Sequence, residues 1–271
     1  MKTILVSGGN SGVGLRAAQE FVARGHRVVL LGRNRAKGEA ALASMGSGKD
    51  RASFLSVDVS THDGVRDAAN RVLAEHDRFD AIVHTTGVLM MKEMRTSDGL
   101  HPFFTVNYLS RYHLTQLLLP TLRGAERPRV VMMTAAVPPG EADYTPFPEF
   151  KPFSFGKMRE AIQLGNHHYA AHLTRTEPNF VAGVVNAGAV KTDIMRETPW
   201  FMKVGSKVVG PFIFDSVEKS AHNVVEASLR DDWLLPTYWG KVGNFDKQTP
   251  IVLDELTTRD VMDRSREITG A

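Results

Sequence analysis

The chain has 271 residues, with 33 Lys and Arg against 30 Asp and Glu for a formal net charge of +3, and it has no cysteine. The missing thiols exclude disulfides, thiolate catalysis and cysteine-ligated zinc, and basic residues spread along the chain rather than clustered give no nucleic-acid footprint. No apolar run reaches the roughly 20 residues that cross a bilayer, Met1 and Lys2 lead straight into an apolar run without a secretory pattern, and a cytoplasmic location is expected.

Thr3-Ile4-Leu5-Val6 reads as the first strand and runs directly into Ser7-Gly8-Gly9-Asn10-Ser11-Gly12-Val13-Gly14. Leu15, Ala18, Phe21 and Val22 then recur at helical spacing. Such a strand-to-helix turn suits a nucleotide. Gly8 lets the backbone turn sharply, Gly12 lets it approach a pyrophosphate, and Gly14 lets the helix pack closely on the sheet. The anion meets the free N–H groups and the positive dipole end of the helix.

Further along, residues 27–31 form a second strand ending at Gly32-Arg33-Asn34, and a helix over 36–45 is closed by Gly46-Ser47-Gly48. A strand over 52–57 leads into Asp58-Val59-Ser60, followed by a helix over 65–75 and a fourth strand over 80–84. A long helix is expected over 100–122, with Phe104, Tyr108, Tyr112 and Leu119 apolar and Pro120 in its last turn. A fifth strand (129–133), a helix (158–173) and a sixth strand (180–185) continue the alternation. Residues 193–214 show no clean period, and helices over 217–229 and 253–268 finish the chain.

Strand and helix alternate without a linker, which predicts one α/β domain over residues 1–271. The expected sheet is doubly wound and mostly parallel, with about seven strands and helices on both faces. Right-handed crossovers place all strand C-termini along one edge.

With Asp58, Thr96-Ser97-Asp98-Gly99-Leu100, Asn107, Lys157 and Gly188-Ala189-Val190-Lys191-Thr192 beside the glycine turn, the chain resembles a short-chain dehydrogenase/reductase along essentially its whole length. The style is that of the retinol-dehydrogenase-like branch. The resemblance implies a Rossmann fold, a nicotinamide cofactor and a homo-oligomer. It implies a cofactor site made of Ser7, Gly8, Asn10, Ser11, Gly12, Val13, Gly14, Arg33, Asp58, Val59, Gly87, Asn107, Lys157, Gly188 and Thr192.

Arg33 stands just past the second strand, where family members that prefer NAD carry an acid for the ribose hydroxyls. A guanidinium there pairs instead with a 2′-phosphate, which favours NADP(H); Asn34 or Arg35 could share the role. Asp58 would receive the adenine amino group, and Thr192 the nicotinamide side or the pyrophosphate. The family's Asn-Asn-Ala-Gly after the fourth strand is replaced by His84-Thr85-Thr86-Gly87.

The catalytic positions depart from the family's Tyr-x-x-x-Lys and Ser. Lys157 is aligned with the lysine, and four residues earlier stands Phe153, which has no proton to give. Ala135 occupies the position assigned to the serine, with Thr134 beside it and expected to face another way. Lys157 is expected to hold ribose hydroxyls and Asn107 a water. Loss of acid–base groups of this kind costs on the order of 10²–10⁴ in rate.

Tyr144, on a loop with Glu141 and Asp143, is the nearest candidate phenol, and His101 and His113 are weaker candidates. His168 and His172 are four apart with His167 beside them, but no carboxylate partner is evident and no metal is expected. Residues 193–214, with Trp200, Phe201, Phe212 and Phe214, read as a lid walling an apolar pocket for a bulky hydrophobic small molecule, or as an oligomer surface or core.

Three functions follow from these residues. The first is an atypical NADP(H)-binding oxidoreductase whose proton comes from water, the substrate or a loop group. The second is a non-redox enzyme on the same scaffold, such as a cyclase, isomerase or dehydratase, with the nucleotide structural. The third is a non-catalytic nucleotide sensor. Fold alone does not choose among them.

Overall fold

The computed structural model describes residues 1–190 and 215–271. Eight strands form one sheet: β1 (Thr3–Ser7), β2 (Arg27–Gly32), β3 (Ala52–Ser56), β4 (Ala81–His84), β5 (Arg129–Thr134), β6 (Val181–Asn186), β7 (Thr237–Trp239) and β8 (Thr249–Pro250). Their order is β3-β2-β1-β4-β5-β6-β7-β8. All pairs from β3 to β7 are parallel, and β8 runs antiparallel to β7. The chain winds outward from β1 to β3, then returns to place β4 on the other side of β1. That reversal opens a crevice at the strand C-termini, where doubly wound sheets hold ligands.

The helices are α1 (Gly12–Ala23), α2 (Arg35–Ala43), α3 (His62–Glu75), α4 (Pro102–Phe104), α5 (Ser110–Arg123), α6 (Phe155–Thr176), α7 (Val217–Leu229) and α8 (Glu255–Thr269). The strands are apolar without alternation because both sheet faces are covered. Ile4, Val6, Val28, Leu30 and Val131 pack on one face with Phe21 and Val22 of α1 and Val224 and Val225 of α7. Leu5, Val29, Ile82 and Val130 pack on the other with Val72 of α3, Leu118 of α5, Tyr169 of α6 and Met262 of α8. Full burial of each such aliphatic side chain contributes about 1.5–3 kcal/mol. These faces hold the strand ends, and so the crevice, in place.

Several boundaries differ from the sequence expectation. Thr61 accepts the Gly64 N–H and Ser154 the Lys157 N–H, so α3 and α6 begin three residues earlier than their apolar period suggests. The expected helix over 36–45 ends at Ala43, and a 3₁₀ turn occupies Gly46–Arg51. The long helix starts at Pro102, passes through a π-helical turn at Thr105–Leu109, and carries Pro120 in its last turn. β7 and β8 are short, adjoin or contain Pro236 and Pro250, and have no readable period; β7 is placed by pairing with the distant β6, and β8 by pairing with β7. The proposed lid, residues 193–214, and Thr192 lie outside the described residues. Among the described residues no helix is long and apolar enough to cross a membrane.

Candidate functional site

The glycine turn is built around the meeting of β1 and β4. Gly8 has φ +87° and its amide donates to the Leu31 carbonyl at 2.9 Å. A Cβ there would stand 2.7 Å from the Thr86 nitrogen. A Cβ at Gly14 would run into the Thr85 hydroxyl and the Gly8 carbonyl, so only glycine lets α1 sit this close to β1 and β4. Thr85 and Thr86 take over the tying of the two strands: the Thr85 hydroxyl donates to the Ser7 carbonyl at 2.8 Å, and the Ser7 and Thr86 hydroxyls meet at 2.8 Å.

α1 differs from its neighbours at its N-terminus. The cap side chains of α2, α3, α6, α7 and α8 each accept a first-turn N–H, whereas Ser11 makes no such bond. First-turn donors of α1 are therefore left for another acceptor, and an anion suits them. Ser11, Gly12, Val13 and Gly14 all line a cavity of about 770 Å³.

At one side of this cavity are Arg33, Asn34, Lys37, Asp58 and Val59, from the ends of β2 and β3 and the start of α2. Asn34 caps α2 by accepting the Lys37 N–H at 2.9 Å. Asp58 accepts the Ser60 N–H at 3.0 Å. Arg33 is exposed on the cavity lining, and its backbone carbonyl takes the Ser56 hydroxyl at 3.1 Å. Arg35 faces elsewhere and pairs with Glu39 at 3.1 Å. Lys37 was not among the sequence candidates; its position two residues into a capped helix was the available signal.

The other side is lined by Thr86, Gly87, Val88, Asn107, Arg111, Thr134, Ala135, Gln163 and Gly188. Asn107 lies in the π-helical turn, a distortion often found at functional sites. Its side chain accepts the Val88 N–H at 2.8 Å and donates to the Val88 carbonyl at 2.9 Å. It fixes the strand-end loop, and those two atoms are engaged rather than presented to a water. Thr134 lines the cavity beside Ala135, against expectation, and its hydroxyl donates to the Ala135 carbonyl at 3.1 Å.

Lys157 is not brought to the cavity. It sits in the first turn of α6, exposed, with Nζ 3.3 Å from Asp143. The α6 residue on the cavity wall is Gln163, whose side-chain carbonyl accepts the Ala135 N–H at 3.0 Å. Arg159 stands four residues before Gln163, one turn back on the same helix face. Counting residues along the chain identified the helix but not the turn of it that reaches the cavity.

The other candidates also lie off the cavity. Phe153 stacks on His101 with ring centroids 5.4 Å apart. Tyr144 is buried against Phe147 and His168, its hydroxyl has no partner among the described residues, and burial holds its phenol far above the ordinary value. Such a group gives no proton near neutrality. Glu141 does not line the cavity, and Asp143 is held by the Thr145 N–H and Lys157. His101 accepts the Phe103 N–H at 3.1 Å as a helix cap. His113 is buried beside His62, 5.6 Å between rings. His167 packs on Tyr238, and His168 bonds Thr258 at 2.7 Å. Among the described residues no group of three His, Asp or Glu could hold a metal ion.

Comparison with known proteins matches the sequence to the family model described as short chain dehydrogenase over residues 2–145. The chain is 23% identical to a polyprenol dehydrogenase of Homo sapiens, covering 99% of this chain and 85% of that protein. It is 28% identical to retinol dehydrogenase 12 of Mus musculus, covering 85% of this chain and 74% of that protein. Among solved structures it resembles a Pseudomonas aeruginosa RhlG/NADP active-site complex, with TM-score 0.68 and 21% identity over 90% of this chain and 96% of that one.

Proposed function

This chain belongs to the short-chain dehydrogenase family of nicotinamide-dependent oxidoreductases, in its retinol-dehydrogenase-like branch, and we propose that it is an atypical NADP(H)-binding member acting on a bulky hydrophobic small molecule. One observation carries this reading. A single cavity joins an uncapped helix N-terminus, a side carrying Arg33, Lys37 and Asp58, and an inner wall that carries Ala135 and Gln163.

The residues fit the dinucleotide. First-turn N–H groups of α1 would hold the pyrophosphate, Asp58 the adenine amine, and Arg33 with Lys37 a 2′-phosphate. When bound, the nicotinamide supplies or accepts a hydride. The chain's own residues position the substrate: Val88, Leu89, Met90, Phe103, Val106 and Met133 give an apolar wall, which supports a hydrophobic substrate. The names of the two relatives point to isoprenoid alcohols and aldehydes as the first compounds to try.

On this reading the described wall beside Ala135 and Gln163 carries no phenol and no carboxylic acid, and the proton that accompanies hydride would come from water or from an acidic substrate. Residues 1–271 act as one domain, and the family resemblance supports a homo-oligomer, read out by light scattering. The test is fluorescence titration with NADPH and NADH, followed by assay of isoprenoid aldehydes and conjugated enones. Tighter binding of NADPH and its stoichiometric oxidation are expected. Binding of neither coenzyme, or turnover of such a compound without NADPH oxidation, would replace this reading with the non-redox one.

A further inference from the structure

Arg111 is a buried cation that the family pattern does not require. It lies on α5, one turn past Asn107, and is 4% exposed. Its guanidinium has five N–H donors. One nitrogen donates to the Asn166 carbonyl oxygen at 3.1 Å and another to the Thr86 backbone carbonyl at 2.9 Å, while Nε has no partner among the described residues. Asn166 is held in turn by donating to the Asn107 and Ile162 carbonyls at 3.2 and 2.7 Å. The charge is therefore fixed in place by neutral groups, with no carboxylate against it among the described residues.

A charge buried without a counter-ion is costly, and burial lowers the Arg111 pKa to about 9, which leaves it protonated at neutral pH. Its field reaches its surroundings: His84, at the end of β4, is held neutral first by burial and then by the positive Arg111. The ionisable groups among the described cavity-lining residues are Arg33, Lys37, Asp58 and Arg111. Asp58 follows β3, and β3 is separated from β4 by β2 and β1, which at strand spacing is about 14 Å across the sheet. Asp58 therefore leaves the β4 side of the cavity positive.

That side is also where the nicotinamide half must lie if the adenine half takes Arg33 and Asp58. The two redox forms of the cofactor differ there by one unit of charge: the oxidised ring is a cation and the reduced ring is neutral. We propose that Arg111 makes this cavity a holder of the reduced dinucleotide, binding NADPH in preference to NADP⁺ by charge repulsion against the oxidised ring. The inference rests on the NADP(H) reading above and adds to it a redox-state preference and the residue that sets it. Such a site favours reduction of its substrate, because the product form of the coenzyme is the one it releases.

The test is equilibrium binding of three ligands to the whole chain by calorimetry at pH 8: NADPH, NADP⁺, and 2′-phospho-ADP-ribose, which lacks the nicotinamide. A unit charge in a partly buried site supports a preference of about tenfold or more for NADPH in the unaltered protein. Arg111→Met keeps the aliphatic stem and should bring the NADPH and NADP⁺ affinities to within about threefold, with 2′-phospho-ADP-ribose unchanged. Arg111→Lys should keep the preference. Gln163→Glu keeps the acceptor for the Ala135 N–H and adds a negative charge one helical turn from Asn166, so it should also shrink the preference, even if Arg111→Met does not fold.

Equal loss of all three ligands in a folded Arg111→Met protein would show that Arg111 only braces β4 against α5 and α6, and would overturn the proposal. So would an unchanged preference in folded Arg111→Met or in Gln163→Glu. Equal affinity for NADPH and NADP⁺ in the unaltered chain overturns this inference alone, whereas binding of neither overturns the NADP(H) reading with it.

Discussion

The side-chain carbonyl of Gln163 accepts the backbone N–H of Ala135 at 3.0 Å, joining α6 to the end of β5 on the cavity wall. A neutral side-chain amide and the backbone of an alanine thus meet on the cavity wall, where they offer neither a hydroxyl nor an ammonium group. This pairing also fixes the turn of α6 that faces the ligand.

A reconstruction of the missing acid should accordingly be placed on that turn and not at Phe153. Ala135→Ser, Arg159→Tyr and Gln163→Lys together put a hydroxyl, a phenol and an ammonium at the family's one-turn spacing. A phenol beside an ammonium is depressed toward the working pH and can protonate a developing alkoxide. Aldehyde reduction, measured as NADPH oxidation, should rise by roughly 10²-fold or more in kcat/KM. Phe153→Tyr with Ala135→Ser should give no such gain, since the Phe153 ring stacks on His101. A gain from the second pair and none from the triple variant would reverse the assignment.

Coenzyme affinity should separate Arg33 from Lys157. Arg33 lines the cavity, so Arg33→Ala should weaken NADPH by about tenfold, the scale of a lost charge-assisted phosphate contact, while NADH changes little. Lys157 is exposed and paired to Asp143, so Lys157→Ala should leave both affinities within about twofold, as surface ion pairs contribute little. Fluorescence titration of the two variants decides it; a large loss on Lys157→Ala would return that side chain to the site.

The contrast between these residues shows what was legible in the sequence. Ser7 to Gly14, Arg33 and Asp58 each lie at or within two residues of a strand end or in the turn that leaves it, and a strand end is fixed in space by local pattern and by crossover handedness. Gln163 and Arg111 lie inside helices, where a shift of two residues turns a side chain to another face. Their presence on the wall depends on how α5 and α6 pack on each other, which is carried by contacts such as Arg111 to Asn166. β7 was missed for the same reason: a three-residue strand is specified by the neighbour it pairs with, here β6, and hardly by its own sequence.

Tyr144 gives a test of the loop candidate. Its hydroxyl is buried and has no partner among the described residues, a state that costs about 1–3 kcal/mol relative to a solvated hydroxyl. Tyr144→Phe should therefore stabilise the protein by about 1 kcal/mol in urea unfolding. It should leave the pH profile of any turnover unaltered. A variant that loses activity with an unchanged unfolding midpoint would show that the phenol reaches the substrate after all.

Acid should unfold this chain earlier than its carboxylates alone would dictate, because it buries neutral imidazoles. Burial lowers His84 to about 3, with Arg111 adding to it, and burial lowers His167 to about 3, with His168 adding to it. An unfolded histidine titrates near 6.5. Below that value the unfolded chain takes up protons that the folded one refuses, so the stabilisation is complete above about pH 6.5 and is lost as the pH falls from there toward 3. Each group accounts for on the order of 2 kcal/mol by pH 5, before ordinary carboxylates have titrated. Urea midpoints measured from pH 7.5 to 5 should fall steadily across that window. His167→Phe, which fills the same apolar contact with Tyr238, should flatten about half of the dependence contributed by the pair. A midpoint that stays level between pH 6.5 and 5 would mean that these imidazoles are reached by solvent or protonated in the folded protein.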